Sequence, residues 1–360
     1  MNILYAIQGT GNGHISRARA ILPALCTHGN VDVLVSGMQV DVELDYPVKY
    51  KFQGLGFIFG RKGGIDLMAT YRKNKLQRFK REINSLPVEG YDLVISDFEP
   101  VSAWACLQKS KPCIGLSHQA AVLHKKAPQP RKKDTAGIAF LQFYAPVTRQ
   151  YGFHFKAYDA GIFTPVIRGS VRSIHRSEGE HYTVYLPAYS DKRILDMLLH
   201  FPDVQWEVFS KHAKGIIEEQ NVFIRPIHDN LFLQSMASAK GVLCGAGFET
   251  PAEALFLKKK LMVVPMKGQY EQQCNAAALK QMGVPVLKSL KPALVSEIDA
   301  WLNETDIIHV DFPDITVSII DGLLSDFELM KHVKDTGSLP DGRKFKKSLF
   351  QKVVATYISA

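Results

Sequence analysis

The chain has 360 residues, too many for one ordinary hydrophobic core, so two domains are expected. With 46% hydrophobic and 22% charged residues and no low-complexity tract, it is neither disordered nor fibrous. The net charge of +9 leaves nucleic acid, an anionic membrane surface or an anionic substrate as partner classes. No apolar run reaches the roughly 18 residues needed to span a bilayer. Asn2 to Ile7 is too short for a secretory signal and lacks a charged start and a cleavage site. Cys26, Cys106, Cys113, Cys244 and Cys274 form no CxxC, and most lie in apolar patterns where cysteine acts as a small hydrophobe. A cytoplasmic protein is expected.

Asn2 to Ile7 reads as an apolar strand, followed by the glycine-rich loop Gly9-Thr-Gly-Asn-Gly-His14. The spacing of Ala18, Ile21, Leu22 and Leu25 predicts a helix over Ile15 to His28, closed by Gly29, and Val31 to Val35 makes the next strand. This βαβ opening predicts a parallel sheet covered by helices on both faces. A dinucleotide site fits poorly, because the loop reads GxGxG and the second strand ends in Ser36-Gly37 rather than an acid.

Val48 to Phe52 is a further strand. Gly54 to Leu86 begins as a loop and turns helical, with Leu76, Phe79, Ile83 and Leu86 on one face. Arg61 to Arg81 carries eight Lys/Arg against one Asp, on a face that is either simply solvated or able to dock on anionic lipid. RNA binding would want aromatics interleaved with these cations; Tyr71 and Phe79 alone fall there, and Phe79 is on the apolar face, so no nucleic acid is expected. Lys125-Lys126, Arg131 to Lys133 and Arg343 to Lys347 are further basic clusters.

Tyr91 to Asp97 is a strand with an acid at its carboxyl end, the edge where ligands sit in open α/β sheets. Asp97 either caps the helix starting near Pro100 or serves the cleft. Cys113 to Leu116 leads into Ser117-His118-Gln119, also at a strand end, with no role assigned beyond lining the cleft. Leu123 to Gly137 reads as a loop, and Gly161 to Gly179 as the interdomain linker. The second half repeats the α/β pattern: strands Tyr182 to Leu186, Gln205 to Phe209 and Val222 to Ile224, with helices Lys192 to Leu199 and Asp229 to Ala239.

The most informative stretch is Val242 to Ala276. An apolar run ends in Gly245-Ala246-Gly247, where small residues let a backbone approach a phosphate at a helix start. Thr250 reads as the cap of that helix, with Pro251 at its first position and Glu253 completing a capping box. Leu261 to Pro265 is a buried strand, and Glu271-Gln272 and Asn275-Ala276 follow at the mouth of the next helix. Strand Val284 to Leu287, helix Ala293 to Leu302 and a helical pattern over Ser348 to Ser359 complete the chain.

Gly247, Thr250, Glu253, Pro265, Glu271, Gln272, Asn275 and Ala276, in this order, resemble the nucleotide-sugar signature of GT-B glycosyltransferases. The similarity is to the UDP-glycosyltransferase and peptidoglycan N-acetylglucosaminyltransferase type (families 1 and 28). The first loop, ending in His14, resembles the G-x-G-H element of the same enzymes.

The resemblance implies a GT-B fold, two Rossmann-like parallel-sheet α/β domains facing across a cleft. Residues 1–165 would form the acceptor domain and 166–345 the donor domain, with 346–360 a helix returning to the first. It further implies an inverting transferase with His14 as base and Asp97 as its partner. Gly11, Gly13, the backbone at Ile227, Gly245, Ala246, Gly247, Thr250, Glu253, Glu271 and Gln272 would hold a nucleotide-diphosphate sugar, UDP-linked by expectation. Glu253 would meet the ribose, and Glu271 and Gln272 the sugar. No cofactor beyond this substrate and no metal are expected, since there is no D-x-D and no His/Cys cluster.

One residue departs from the pattern. Glu249 stands where the small-molecule transferases have Asn, beside the expected phosphates, which is electrostatically awkward. A nucleotide-sugar 2-epimerase on the same fold and a non-catalytic basic RNA or anionic-lipid binder are the rival readings. The acceptor is not identified by the sequence; the basic helix tilts it toward a membrane surface, which would make the protein peripheral at the inner membrane face.

Overall fold

The structure is a computed structural model and describes residues 1–10, 12–39, 44–55 and 73–335. Gly11, the greater part of the basic stretch from Arg61, and residues 346–360 therefore lie outside the described residues.

The first half builds a seven-stranded parallel sheet in the order β3-β2-β1-β4-β5-β6-β7. Its strands are β1 (Asn2–Thr10), β2 (Asn30–Gln39), β3 (Val48–Phe52), β4 (Leu93–Asp97), β5 (Ile114–Ser117), β6 (Arg149–Phe153) and β7 (Ile162–Phe163). Ile3 to Ile7 are wholly buried, as expected of a central parallel strand covered on both faces. Helices α1 (Asn12–Cys26), α2 (Lys73–Ser85), α3 (Pro100–Gln108), α4 (His118–Val122) and α5 (Thr135–Phe143) connect them. The strand order reverses between β1 and β4, and the connections leaving their carboxyl ends to opposite sides leave a crevice beside Thr10 and Asp97.

After α6 (Gly169–Ser173), the second half forms a six-stranded sheet in the order β10-β11-β9-β8-β12-β13. Its strands are β8 (His181–Tyr185), β9 (Gln205–Ser210), β10 (Ile217–Glu219), β11 (Val222–Pro226), β12 (Gly241–Gly245) and β13 (Lys260–Val264). Only β10 runs antiparallel, as a short exposed hairpin arm on β11. Helices α7 (Asp191–Leu198), α8 (Asp229–Ser238), α9 (Glu249–Phe256), α10 (Tyr270–Gln281), α11 (Val295–Asn303) and α12 (Thr316–Asp335) complete this half. Again the order reverses, here between β8 and β12, and the second crevice opens at Gly245.

Several elements differ from the sequence reading. The helix expected from Ile15 starts at Asn12, which places His14 inside its first turn. Val284 to Leu287 lies along β13 by a single bridge, Val263 to Val286, rather than as a full strand. The expected linker from Gly161 contributes β7 and α6. The loop expected up to Gly137 gives way to α5 from Thr135, capped by Asp134, whose carboxylate accepts from the Ala136 and Gly137 amides.

The two halves share one apolar core, in which Ile15 and Phe153 of the first join Phe232 and Phe248 of the second. The chain returns to the first sheet earlier than expected: α12 packs on α1, and Asp326 accepts from Arg149 (2.7 Å) and from the Tyr151 hydroxyl. None of the described helices is long and apolar enough to cross a membrane.

Candidate active site

β4 delivers Asp97 fully buried at the floor of the crevice, and the chain then turns through Phe98 at φ 55°, a left-handed conformation costly for an aromatic residue. That turn lets Glu99, not Asp97, cap α3: its carboxylate accepts from the Val101 and Ser102 amides (2.7 and 2.6 Å). Asp97 is thereby left to the cleft. Its Oδ1 lies 2.9 Å from His14 Nδ1, bringing together two residues 83 apart in the chain. His14 Nε2 faces Gln119 Nε2 at 3.5 Å, across the mouth of the crevice.

Arg17, one helical turn beyond His14, was not singled out by the sequence. Its Nε and Nη2 grip Asp97 at 2.7 to 3.1 Å, while Nη1 donates to Glu249 on the second domain. Burial alone would resist ionisation of Asp97, but Arg17 and His14 outweigh it and hold the carboxyl below the usual range. The one Arg17 charge is shared between two acids, and Asp97 has the larger share. Glu249 is accordingly pushed up to about 8 by burial, against the pull of Arg17 and helped by the nearby Glu253 and Asp97 charges.

The donor side is built from the ends of β12 and β13. Gly245 ends β12, and a Cβ there would stop 3.9 Å from Gln272 Oε1. Ala246 is buried, and its carbonyl accepts from Asn275 Nδ2 (3.1 Å). A Cβ at Gly247 would meet no atom within 4 Å, so the backbone there is open to a close approach. Gly13 faces this region from the first domain; its Cβ would come within 3.1 Å of Glu249 Cγ.

Thr250 does not cap the following helix, which corrects the sequence reading. Helix α9 starts at Glu249 with Phe248 as its cap and no side-chain cap bond, so Thr250 and Pro251 are already helical. Two contacts explain the earlier start. Phe248 stacks on His118 with centroids 3.9 Å apart and planes 6° apart, and Arg17 draws Glu249 inward.

Glu253 makes no capping box either. Both of its oxygens accept from Arg168, from Nε at 2.7 Å and Nη2 at 3.3 Å. Arg168 also donates to both oxygens of Asp229 (2.8 and 2.9 Å), and Arg19 of the first domain reaches the same carboxylate (2.8 Å). Burial raises the Glu253 carboxyl, with Arg168 opposing. Ile227 gives its N–H to the Ser210 carbonyl (3.0 Å).

Glu271 accepts from Gln119 Nε2 (3.0 Å), and its carboxyl is raised by burial. Gln272 turns its Oε1 to the Met266 amide (3.0 Å), bracing the turn after β13. His118 is buried between the Phe153 carbonyl (2.8 Å) and the Asn275 amide (2.7 Å), a further tie between the domains. His14, Asp97, Gly13, Gly247, Glu271, Gln119 and the unanticipated Arg17 thus share one cleft, whereas Glu253 belongs to the Arg168 network at its side. A cavity of about 190 Å³ lined by Leu255, Lys259, Pro285 and Trp301 lies at the opposite end of the second sheet, and no cleft residue lines it.

Comparison with known proteins agrees with this architecture. The glycosyltransferase SsfS6 of Streptomyces sp. SF2575, solved with thymidine diphosphate, superposes with a TM-score of 0.54 at 13% identity, covering 98% of this chain and 99% of that one. The kitacinnamycin glycotransferase gives 0.53 at 12% identity over 91% and 95% of the two chains. The glycosyltransferase SnogD of Streptomyces nogalater gives 0.50 at 12% over 90% and 99%. These likenesses establish the GT-B fold. A search of curated proteins found no match to the sequence. The profile of glycosyl transferase family 1 matches residues 1–303, and the chain belongs to that family.

Proposed function

We propose that the protein transfers a sugar from a nucleotide-diphosphate sugar to an acceptor hydroxyl with inversion at the anomeric carbon. The observation that carries this reading is the His14–Asp97 pair, 2.9 Å apart, at the mouth of a cleft whose other wall is the open turn at Gly247. Asp97 accepts the Nδ1 proton and leaves Nε2 as the basic nitrogen facing the cleft. The acceptor oxygen attacks the anomeric carbon as Nε2 takes its proton, and the bond to the diphosphate breaks on the opposite face. Glu271, with Gln119 beside it, is placed to meet the sugar hydroxyls. Glu253 reaches the ribose only if it shares its carboxylate with Arg168. The nucleoside is a pyrimidine in this reading: uridine by the sequence pattern, or thymidine as in the SsfS6 complex.

The acceptor is proposed to meet the cleft at an anionic membrane surface on the cytoplasmic side, through α2. Lys80 and Arg81 are exposed there, whereas Arg78 is turned to the Gln53-Gly54 turn, donating to the Gly54 carbonyl (3.1 Å). Co-sedimentation with phosphatidylglycerol vesicles, lost in Lys80→Glu/Arg81→Glu, would support this part.

The first test is thermal stability with UDP, dTDP, GDP, ADP and NAD. A ligand at a hundred times its Kd stabilises by about 2.7 kcal/mol. A shift with one pyrimidine diphosphate supports the reading, and no shift with any of them ends it. One specific observation favours a second reading: Asp97, Glu249 and Glu271 place three acids around the cleft, as a nucleotide-sugar 2-epimerase would need. Consumption of donor without any acceptor would select it.

A further inference from the structure

A departing diphosphate needs a cation or fixed dipoles where its charge develops. Helix α9 offers an uncapped first turn beside the open Gly247. A carboxylate, that of Glu249, occupies this end and is met by Arg17 from the other domain. The Tyr5 hydroxyl, fully buried and without a hydrogen-bond partner among the described residues, lies in the field of Asp97, Arg17 and Glu249.

We propose that Arg17 is the residue that receives the leaving diphosphate, and that Glu249 is its placeholder, displaced when the donor binds. This deepens the transferase reading and rests on it. The guanidinium is fixed by Nε and Nη2 on Asp97, so Nη1 can exchange a carboxylate oxygen for a phosphate oxygen without moving the group. With its side chain only 2% exposed, Arg17 pays no reorganisation when charge develops. In the step itself, the anomeric C–O bond breaks with its electron pair passing to the diphosphate oxygen facing Nη1. The acceptor C–O bond forms, and the acceptor proton ends on His14 Nε2. One guanidinium then touches the leaving group and, through Asp97, orients the base.

Glu249 also becomes a specificity device. A ligand must offer Nη1 a better acceptor than the Glu249 carboxyl, so a bare nucleoside gains nothing from this contact while a charged diphosphate does.

The test is calorimetric binding of dTDP, UDP, thymidine and uridine to the wild type, Glu249→Gln, Arg17→Met and Arg17→Lys. Measured at pH 9, where Glu249 is ionised, removal of the placeholder in Glu249→Gln should tighten the diphosphate by about tenfold and leave the nucleoside unchanged, and Arg17→Met should weaken the diphosphate alone by about ten- to a hundredfold, the scale of a hydrogen bond to a charged group. Arg17→Lys should fall between, since a single ammonium cannot serve both Asp97 and a phosphate. If Arg17→Met fails to fold, Glu249→Gln and Arg17→Lys decide the matter. Equal losses for nucleoside and diphosphate, or weaker diphosphate binding in Glu249→Gln, would overturn the proposal. A wild type that binds no diphosphate overturns the transferase reading itself, and this proposal with it.

Discussion

Asp97 and Arg17 are joined edge to edge, with Arg17 Nη2 at 2.7 and 2.9 Å from the two carboxylate oxygens and Nε at 3.1 Å from Oδ2. His14 Nδ1 completes the set at 2.9 Å from Oδ1. A buried carboxylate held this way stays ionised and rigid, which is what an imidazole needs from its partner. His14 is then defined by two neighbours on rigid elements, one from its own helix and one from the end of β4.

The first prediction concerns this pair. His14→Ala should lower transfer by about a hundred- to ten-thousandfold, the usual span for a positioned base, while nucleoside diphosphate binding is kept. Asp97→Asn should lose a comparable amount through the tautomer, since an amide can donate to Nδ1 and turn the proton to Nε2. Steady-state turnover beside calorimetric binding checks both. Loss of binding in His14→Ala would instead make it a ligand-orienting residue.

A pH dependence follows from Glu249. Its ordinary value is 4.5, and in the folded protein burial pushes it up to about 8. Between these values the folded state keeps a proton that the unfolded chain has released. Its stabilising effect is therefore complete below 4.5 and is lost as pH rises through about 8. Glu249→Gln should flatten this fall, so its unfolding free energy should gain on the wild type from pH 5 to pH 9, by roughly 4 kcal/mol. Diphosphate binding should likewise weaken above about 8 in the wild type, where an ionised Glu249 faces the phosphates, and not in Glu249→Gln. Parallel slopes for the two proteins would refute this.

Arg168 carries the third prediction. It is 7% exposed and satisfies both Glu253 and Asp229. Arg168→Met would strand Glu253 and leave Asp229 to Arg19 alone, and breaking a buried pair from one side costs about 3–5 kcal/mol. The companion Arg168→Met/Glu253→Gln should recover a substantial part of it, because the neutral amide needs no cation. Chemical denaturation of the three proteins measures the coupling; a double variant no better than the single would show that Glu253 is not the acid Arg168 serves.

Much of this was legible in the sequence where the signal is local. Apolar runs ending in glycines or an acid located β1, β4 and β12 and therefore both crevices. β6 was missed because Arg149-Gln-Tyr-Gly-Phe153 mixes charge, glycine and aromatics, and β10 because Ile217-Glu-Glu219 is exposed and held only by its hairpin partner. The failed cap at Thr250 has a long-range cause, the His118–Phe248 stack and the Arg17–Glu249 contact, which no window around residue 250 contains. Arg17 and Arg168 escaped for the same reason: their acids lie 80, 232 and 85 residues away. A clue did exist. An acid at Glu249 beside expected phosphates required a cation from somewhere, and Arg17, on the His14 face of α1, was the nearest arginine to the cleft motif.

The last prediction addresses how tightly the domains close. Gly137 on α5 packs against Tyr270 at the start of α10, and a Cβ at Gly137 would come within 2.5 Å of Tyr270 Cβ. That atom belongs to a buried side chain next to the helix backbone, so it cannot swing aside as a long flexible chain would. Gly137→Ala must therefore push α5 from α10, at a cost of about 1–3 kcal/mol if the strain is absorbed locally. The alternative is to open the cleft, losing the Gln119–Glu271 and His118–Asn275 contacts that lie along the same seam. Since Gln119 also stands before His14 Nε2, opening should lower turnover more than it lowers the melting temperature. Gly90→Ala is the matched control, because a Cβ there meets nothing within 4 Å. Small-angle scattering should show a larger radius for Gly137→Ala alone, reduced again by a bound nucleoside diphosphate. An unchanged radius together with unchanged turnover would mean that the Gly137–Tyr270 seam does not govern closure, and that the ion pairs of Arg17 and Arg19 hold the domains without it.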